Sequence, residues 1–314
     1  MESLPNLLSD PNTRWVLAGC ILLGLSSGVL GCFAYLRKHS LMGDAVAHAS
    51  LPGICVGFMI YGSKSIGVFL LAAAAAGLLC SFCISMLTRW SRIKEDTALG
   101  LVLSVFFGFG IVLLTRIQHT PNGNQSGLDD FLFGQAASLV GSDVRVMMAL
   151  AGILLFITWL LFKEFKLLSF DPGFGRGLGL PMGVLNALMM LLIVLAVVIG
   201  LQAVGVVLMS AMLITPALAA RYWTDRLDRM VLLAGLFGAA SGFIGTLVSG
   251  MTAHLPTGPV IVLASTVLFL VSFVFAPRRG LLMKWYRQYQ LRSAYQKQVD
   301  SCPTMRSFEG SDPV

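Results

Sequence analysis

Two side chains that can bind a metal ion or carry a proton lie four residues apart in an apolar stretch. Asp44 and His48 occur in the run 40–53, among small and apolar residues. Residues four apart share one face of an α-helix, one turn from each other. A carboxylate oxygen and an imidazole nitrogen in this arrangement form half of a site for a divalent cation such as Mn, Zn or Fe(II).

The same pair permits other interpretations. A carboxylate and an imidazole can relay protons within a membrane. Asp44 can also hydrogen-bond His48 and only lock two helices together, or it can serve as the acidic residue of a helix first turn. Pro52 and Gly53 follow in the same run, and they predict a bent or loosened helix that lines a cavity.

The element that carries the pair is predicted from composition. The chain has 314 residues, of which 56% are hydrophobic and 12% are charged, and its mean hydropathy is +0.82. Soluble domains carry about 25% charged residues. The apolar residues come in runs of roughly 20, the length that crosses a bilayer as a helix. The net charge of +7 lies in short loops, and no basic domain with interleaved aromatic residues exists, which excludes nucleic-acid binding.

The fold class is therefore an all-α polytopic membrane protein with about nine transmembrane helices. The weakest boundary is the join at 200–205, where one long broken helix would reduce the number to eight. Gly24/Gly28 and Gly238/Gly242 have the Gly-x-x-x-Gly spacing that allows close helix packing. The predicted spans are 15–36, 41–61, 66–87, 98–114, 146–162, 182–201, 203–222, 231–251 and 259–275.

The distribution of basic residues predicts the orientation. With odd-numbered spans running inward, 18 of the 22 Lys and Arg residues fall inside, so the positive-inside rule places the N-terminus outside and the C-terminus inside. Residues 1–13 form an outer segment without the features of a cleaved signal peptide. Residues 14–276 form the membrane domain, and 277–314 form a basic cytoplasmic tail suited to anionic membrane lipid.

Catalytic motifs are missing from the sequence. It contains no H-E-x-x-H, no G-x-S-x-G with a plausible triad and no intact phosphate-binding loop. The chain is therefore not expected to be an enzyme, and any ATP hydrolysis is expected to belong to a separate subunit.

Six stretches, in order, resemble the metal-ion permeases of bacterial ABC transporters that import manganese, zinc or iron(II). They extend over about 15–276, and six in register make a specific match. The matching stretches are 40–53, 93–100, 131–135, 169–181, 205–221 and 255–260.

The resemblance implies a multi-pass protein of the bacterial inner membrane. It implies a dimer of identical or related protomers, two cytoplasmic ATPase subunits and an outer metal-binding protein. It assigns Asp44 and His48 as pathway ligands for a transported ion, with no permanently bound cofactor. It also implies that the stretch 215–230 is a coupling helix that docks on the ATPase, with Pro216 suited to a first turn. The residues so implied in coupling are Pro216, Arg221, Asp225, Arg226, Asp228 and Arg229.

The expected function is the membrane subunit of an ATP-driven importer of a divalent transition-metal ion. The alternative is a proton-coupled secondary metal transporter that uses the same pair of residues. The two differ in whether the chain transports metal without an ATPase. Aspartate and histidine accept Mn, Zn and Fe(II) alike, so the choice among these metals stays open.

Overall fold

The structure of the chain is a computed structural model. It describes residues 11–39, 41–61, 66–119, 141–251, 255–277 and, within 279–292, all but 284 and 286. The described part is largely helical, and it contains no strand. The helices named below are α1 (Pro11–Leu36), α2 (Met42–Tyr61), α3 (Ile66–Trp90), α4 (Glu95–Gln118), α5 (Gly141–Leu160), α6 (Phe162–Phe170), α7 (Pro172–Gly177), α8 (Met182–Val204), α9 (Val206–Trp223), α10 (Leu227–Met251) and α11 (Thr257–Phe275).

Eight of these helices, counted over the described residues, are long and apolar enough to cross a membrane: α1 to α5, α8, α10 and α11. The prediction of an all-helical polytopic protein is confirmed. Helix ends differ from the predicted ones where charged residues continue a span. α4 runs beyond the apolar stretch 98–114 because Glu95 in its first turn and Arg116 in its last turn match the helix dipole.

One end of the bundle gathers charged contacts and is called the basic end below. The Arg37 guanidinium, just after α1, donates to the Leu168 carbonyl oxygen at 3.0 Å and to Asn186 Oδ1 at 2.8 Å. Arg279, just after α11, donates to Asp225 Oδ1 at 2.7 Å. These contacts bring together segments of the chain that the charge count assigns to a single side of the membrane.

The predicted weak boundary between the sixth and seventh spans is a sharp break at Gly205. Its φ of 91° and ψ of 163° belong to a region that only glycine occupies readily. α8 starts at the basic end, near Asn186, and α9 ends there, near Asp225. The two helices therefore run in opposite directions, which agrees with two separate elements instead of one long helix.

The two Gly-x-x-x-Gly pairs pack α1 directly against α10. A Cβ added at Gly24 would collide with the Gly238 carbonyl oxygen, and one added at Gly242 would collide with that of Cys20. The backbones are thus in contact without side chains between them, as the spacing predicts.

The helices form two groups with a shared centre. α2 packs mainly against α3 and α4, while α1 packs mainly against α10, α9 and α5. α8 and α9 contact helices of both groups. Nearly every residue of α8 from Leu192 onward is buried, as expected for a helix that is apolar on all sides. The candidate pair on α2 therefore lies apart from the tightly joined α1 and α10.

Candidate functional site

α2 starts immediately before the candidate pair. Asp44 lies in the first turn of this helix, where the positive end of the helix dipole stabilises a carboxylate. His48 lies one turn further into the span. The helix thus holds both side chains on one face, as the spacing of four predicts.

The Asp44 carboxylate and the His48 imidazole face each other across 3.5 Å, measured from Oδ1 to Nε2. This separation is longer than a good hydrogen bond, for which 2.7–3.2 Å is usual. Two ligands that each lie about 2.1 Å from a tetrahedral metal ion are about 3.4 Å apart. The spacing is therefore compatible with a cation held between the two atoms as well as with a direct contact within the helix.

The pair is accessible from outside the chain. The side chains of Asp44 and His48 are 36% and 18% exposed. Their neighbours along the chain, such as Ala45 and Ala47, are buried. On α4, Gly100 and Gly108 have nothing within 4 Å of an added Cβ. Parts of the surfaces of α2 and α4 are therefore uncovered in the described structure.

Neighbouring helices hold the pair in place. The ring of Phe107 on α4 meets the His48 imidazole edge to face, with 4.9 Å between centroids. Ser210 on α9 interacts with the Asp44 carboxylate through its hydroxyl. The second imidazole nitrogen, Nδ1 of His48, is buried without a hydrogen-bond partner in the described structure. Nε2 is therefore the nitrogen that faces the carboxylate and is available to a ligand.

A single chain supplies only part of a metal site. Among the described residues, no group of three or more His, Cys, Asp and Glu side chains is placed to hold a metal ion. A divalent ion takes four or more ligands. Asp44 and His48 would give two, so a complete site would need further ligands.

Pro52 and Gly53 lie inside α2, which is one helix from Met42 to Tyr61. The Gly110 of α4 would place a Cβ 2.9 Å from Pro52 Cδ, and a Cβ at Gly53 would collide with the Ala72 carbonyl oxygen of α3. Pro52 and Gly53 are thus points of close packing between α2, α3 and α4. Whether they also bend or loosen a helix that lines a cavity stays a prediction.

The segment that precedes α2 is anchored on both sides. Arg37 joins it to α6 and α8, as described above, and Nδ1 of His39 hydrogen-bonds Glu95 Oε1 at the start of α4. Burial lowers the pKa of His39 below its usual 6.5, although the Glu95 carboxylate opposes this shift. The lowered pKa favours the neutral imidazole of His39, whose Nδ1–H can donate to the carboxylate. The start of α2 is tied to the basic end.

The residues implied in ATPase coupling lie at the basic end, with one exception. Arg221 Nη1 lies 3.5 Å from Asp225 Oδ1, and Lys166 Nζ lies 3.1 Å from Asp228 Oδ1. Arg226 and Arg229 are exposed. Pro216 is instead buried inside α9.

The stretch 215–230 is not a helix of its own, which corrects the expectation. It consists of the end of α9, the connection 224–226 and the start of α10. Helical hydrogen bonding continues past Pro216, since a proline removes only one bond of the ladder. The helix ends at extended Thr224, whose Oγ1 accepts the Arg226 N–H at 3.2 Å.

Sequence reasoning missed several parts of this arrangement. Phe107 and Ser210 belong to other helices, and no local pattern links them to α2. The short helix α7 did have a signal: Asp171 and Pro172 are a typical helix cap and first residue. The Asp171 carboxylate accepts the Phe174 N–H at 2.9 Å.

Comparison with known proteins gives concordant matches over most of the chain. The model of the family described as "ABC 3 transport family" matches residues 9–276. The manganese transport system membrane protein MntC of Bacillus subtilis is 56% identical over 93% of this chain and 67% of its own length. The zinc transport system membrane protein TroC of Treponema pallidum is 44% identical over 92% and 97%.

A solved structure has the same fold. In the structure described as PsaBC from Streptococcus pneumoniae in complex with Fab, one chain is 33% identical and superposes with a TM-score of 0.78. The match covers 88% of this chain and 96% of that one. Family model, relatives and fold agree, and this chain belongs to the ABC 3 transport family.

Proposed function

We propose that this chain is the membrane permease subunit of an ATP-driven importer of a divalent transition-metal ion. The observation that carries the proposal is the pair Asp44 and His48, 3.5 Å apart on an uncovered face of a membrane-spanning helix. Family membership supplies the transport class. The chain is a multi-pass permease of the bacterial inner membrane, and ATP hydrolysis belongs to a separate subunit.

The transported ion is manganese, zinc or iron(II). The two relatives named above are described as manganese and zinc transport proteins. A carboxylate and an imidazole suit each of these cations, whereas Cu(I) prefers softer sulfur ligands. The ion is a substrate that passes through, so the site binds it weakly enough to release it.

A second permease protomer, identical or related, completes the site. Two copies joined at the face of α2 and α4 bring two carboxylates and two imidazoles to one axis. Two carboxylates neutralise a divalent charge in a medium where an unpaired charge costs several kcal/mol. This arrangement explains why each chain offers only two ligands and leaves them accessible.

The basic end faces the cytoplasm and docks on the ATPase subunits. The positive-inside rule supports this orientation, since the basic residues of several connections meet there. Exposed Arg226 and Arg229, with Arg221, Asp225 and Asp228, supply ionic contacts to the ATPase. Pro216 contributes through the shape of α9, because it is buried. The anchored segment at Arg37 and His39 then links this surface to the start of α2. The predicted contact of the basic tail 277–314 with anionic lipid falls largely on residues outside the described ones and stays a prediction.

Reconstitution tests the proposal against proton-coupled transport. The chain is placed in liposomes alone, and separately with its ATPase, second protomer and outer metal-binding protein. We expect metal uptake only in the complete assembly and only with ATP, with competition among Mn, Zn and Fe(II) revealing the preferred ion. Uptake by the chain alone under a pH gradient would establish the secondary transporter instead.

A further inference from the structure

A large apolar groove runs along the side of the bundle between α1, α5 and α10. Its volume is about 560 Å³, within the range of sites that bind small molecules. Its walls are aliphatic and aromatic side chains of the three helices. They include Leu25, Val29, Leu155, Trp159, Leu232 and Leu236.

The groove is separate from the candidate metal site. α1, α5 and α10 belong to the group of helices opposite α2, α3 and α4, with α8 and α9 between the two groups. Its three walls are membrane-spanning helices. The groove therefore opens sideways into the hydrocarbon region of the bilayer, where empty apolar space is filled by whatever surrounds it.

The groove ends beside an ion pair at the basic end. Asp228 lines it there, and Lys166 Nζ lies 3.1 and 3.2 Å from the two Asp228 carboxylate oxygens. The Lys166 side chain is 45% exposed, so its ammonium group remains accessible. Lys163 on α6 and Arg229 on α10 are exposed as well. With Lys166 they outnumber the acids Glu164 and Asp228 of the same two segments by one charge.

We propose that the groove binds an anionic phospholipid, with one acyl chain between α1, α5 and α10 and the phosphate beside Lys166. The apolar part and the charged part of the site lie at the membrane depths of a phospholipid's acyl chains and headgroup, respectively. The apolar walls are within the hydrocarbon region, and the ammonium group is at the end of the spans. Basic pockets between spanning helices on the cytoplasmic side are suited to anionic headgroups.

Tryptophan fluorescence tests the proposal directly, because Trp159 lines the groove and is 73% exposed. In the full chain, the other four tryptophans are replaced by phenylalanine, and retained metal uptake in the assembled transporter shows correct folding. The chain is reconstituted with trace phosphatidylglycerol or phosphatidylcholine that carries brominated acyl chains, which quench nearby tryptophan. We expect brominated phosphatidylglycerol to quench Trp159 with an apparent affinity about fivefold higher than that of brominated phosphatidylcholine. One basic residue beside an anionic headgroup contributes an effect of about this size.

Two substitutions separate the headgroup contact from the groove. Lys166→Gln should remove the preference for phosphatidylglycerol, whereas Lys94→Gln, at the start of α4 in the other group, should leave it unchanged. The pair Leu232→Phe and Leu236→Phe, which fills the groove, should weaken quenching by both lipids. Lipid counts from native mass spectrometry of wild type and Lys166→Gln provide the same comparison without tryptophan replacement.

Two other results would overturn the proposal. Equal quenching by the two lipids, unchanged in Lys166→Gln, would overturn the headgroup site. No quenching by either lipid would show that protein covers the groove, from another part of this chain or from a second copy, and would also overturn the proposal. Neither result bears on transport through Asp44 and His48.

Discussion

The ring of Phe107 meets the His48 imidazole edge to face, with an interplanar angle of 81°. This contact comes from α4, while Asp44 and His48 both belong to α2. The aromatic edge holds the imidazole so that Nε2 faces the Asp44 carboxylate. The geometry of the pair thus depends on a residue that supplies no ligand atom.

We expect Phe107→Ala to weaken metal binding without abolishing transport. Edge-to-face contacts contribute about 0.5–1.5 kcal/mol, so the metal concentration for half-maximal uptake should rise about two- to tenfold, with little change in the maximal rate. Uptake measured over a range of metal concentrations gives both quantities. Phe109→Ala, an exposed phenylalanine of the same helix, is the matched control. A lower maximal rate with an unchanged half-saturating concentration would contradict a positioning role.

Replacing the proposed ligands should have a larger effect. Asp44→Ala or His48→Ala is expected to reduce metal uptake to background. The one ligand left in each protomer is not enough to hold a divalent ion within the membrane, where an unpaired charge is costly. The transporter should still assemble with its ATPase, as size-exclusion chromatography would show. Asp96→Ala and His119→Ala remove the same residue types from exposed positions and should transport normally. Normal uptake by both site variants would contradict the assignment of Asp44 and His48 as metal ligands.

The contact between α1 and α10 predicts a strong difference between two glycine substitutions. Gly238→Ala places a methyl group against the Gly24 carbonyl oxygen, and such overpacking costs about 1–3 kcal/mol. Gly152→Ala adds the same methyl group where nothing lies within 4 Å, and better helix propensity should stabilise it by up to about 1 kcal/mol. Thermal unfolding in detergent should show a lower midpoint for the first variant only. Similar midpoints would mean that the helices separate easily.

His39 should make the protein less stable in mild acid. Burial lowers its pKa in the folded chain below 6.5, with Arg37 adding to the shift and Glu95 opposing it. The unfolded chain then binds more protons as the pH falls below about 6.5, so acid favours unfolding. The His39→Gln variant keeps a donor for Glu95 but does not titrate, and its unfolding midpoint should fall less between pH 7.5 and 5.5. Parallel curves for both proteins would assign the pH dependence to other groups.

The basic end should respond to charge reversal as a docking surface. Arg226→Glu is expected to weaken association with the ATPase subunit and to lower ATP-dependent uptake severalfold. Arg145→Glu reverses an exposed charge at the other end of the bundle, near the start of α5, and should leave association unchanged. Co-purification of the ATPase at increasing salt measures this, since exposed ionic contacts weaken with screening. Equal retention of the ATPase by the two variants would place docking elsewhere.

Much of the fold could be predicted because each span is a local pattern. The second span was expected at 41–61 and is observed at Met42–Tyr61, since apolar length alone defines it. The pair Asp44 and His48 was predictable for the same reason, as a spacing of four acts within one helix. Its neighbours were not, because Phe107 and Ser210 reach it through tertiary packing. The expectation of a separate helix at 215–230 was wrong because the apolar helix α9 continues through Pro216.

The backbone contact between α1 and α10 has a consequence for motion. A transporter must open first to one side of the membrane and then to the other, by sliding or rotating packed elements. Where Gly24 meets Gly238, no side chain lies between the two backbones that could repack at a new register. We therefore expect α1 and α10 to move as one unit. Relative motion in the transport cycle is then expected between this unit and α2 with its neighbours α3 and α4.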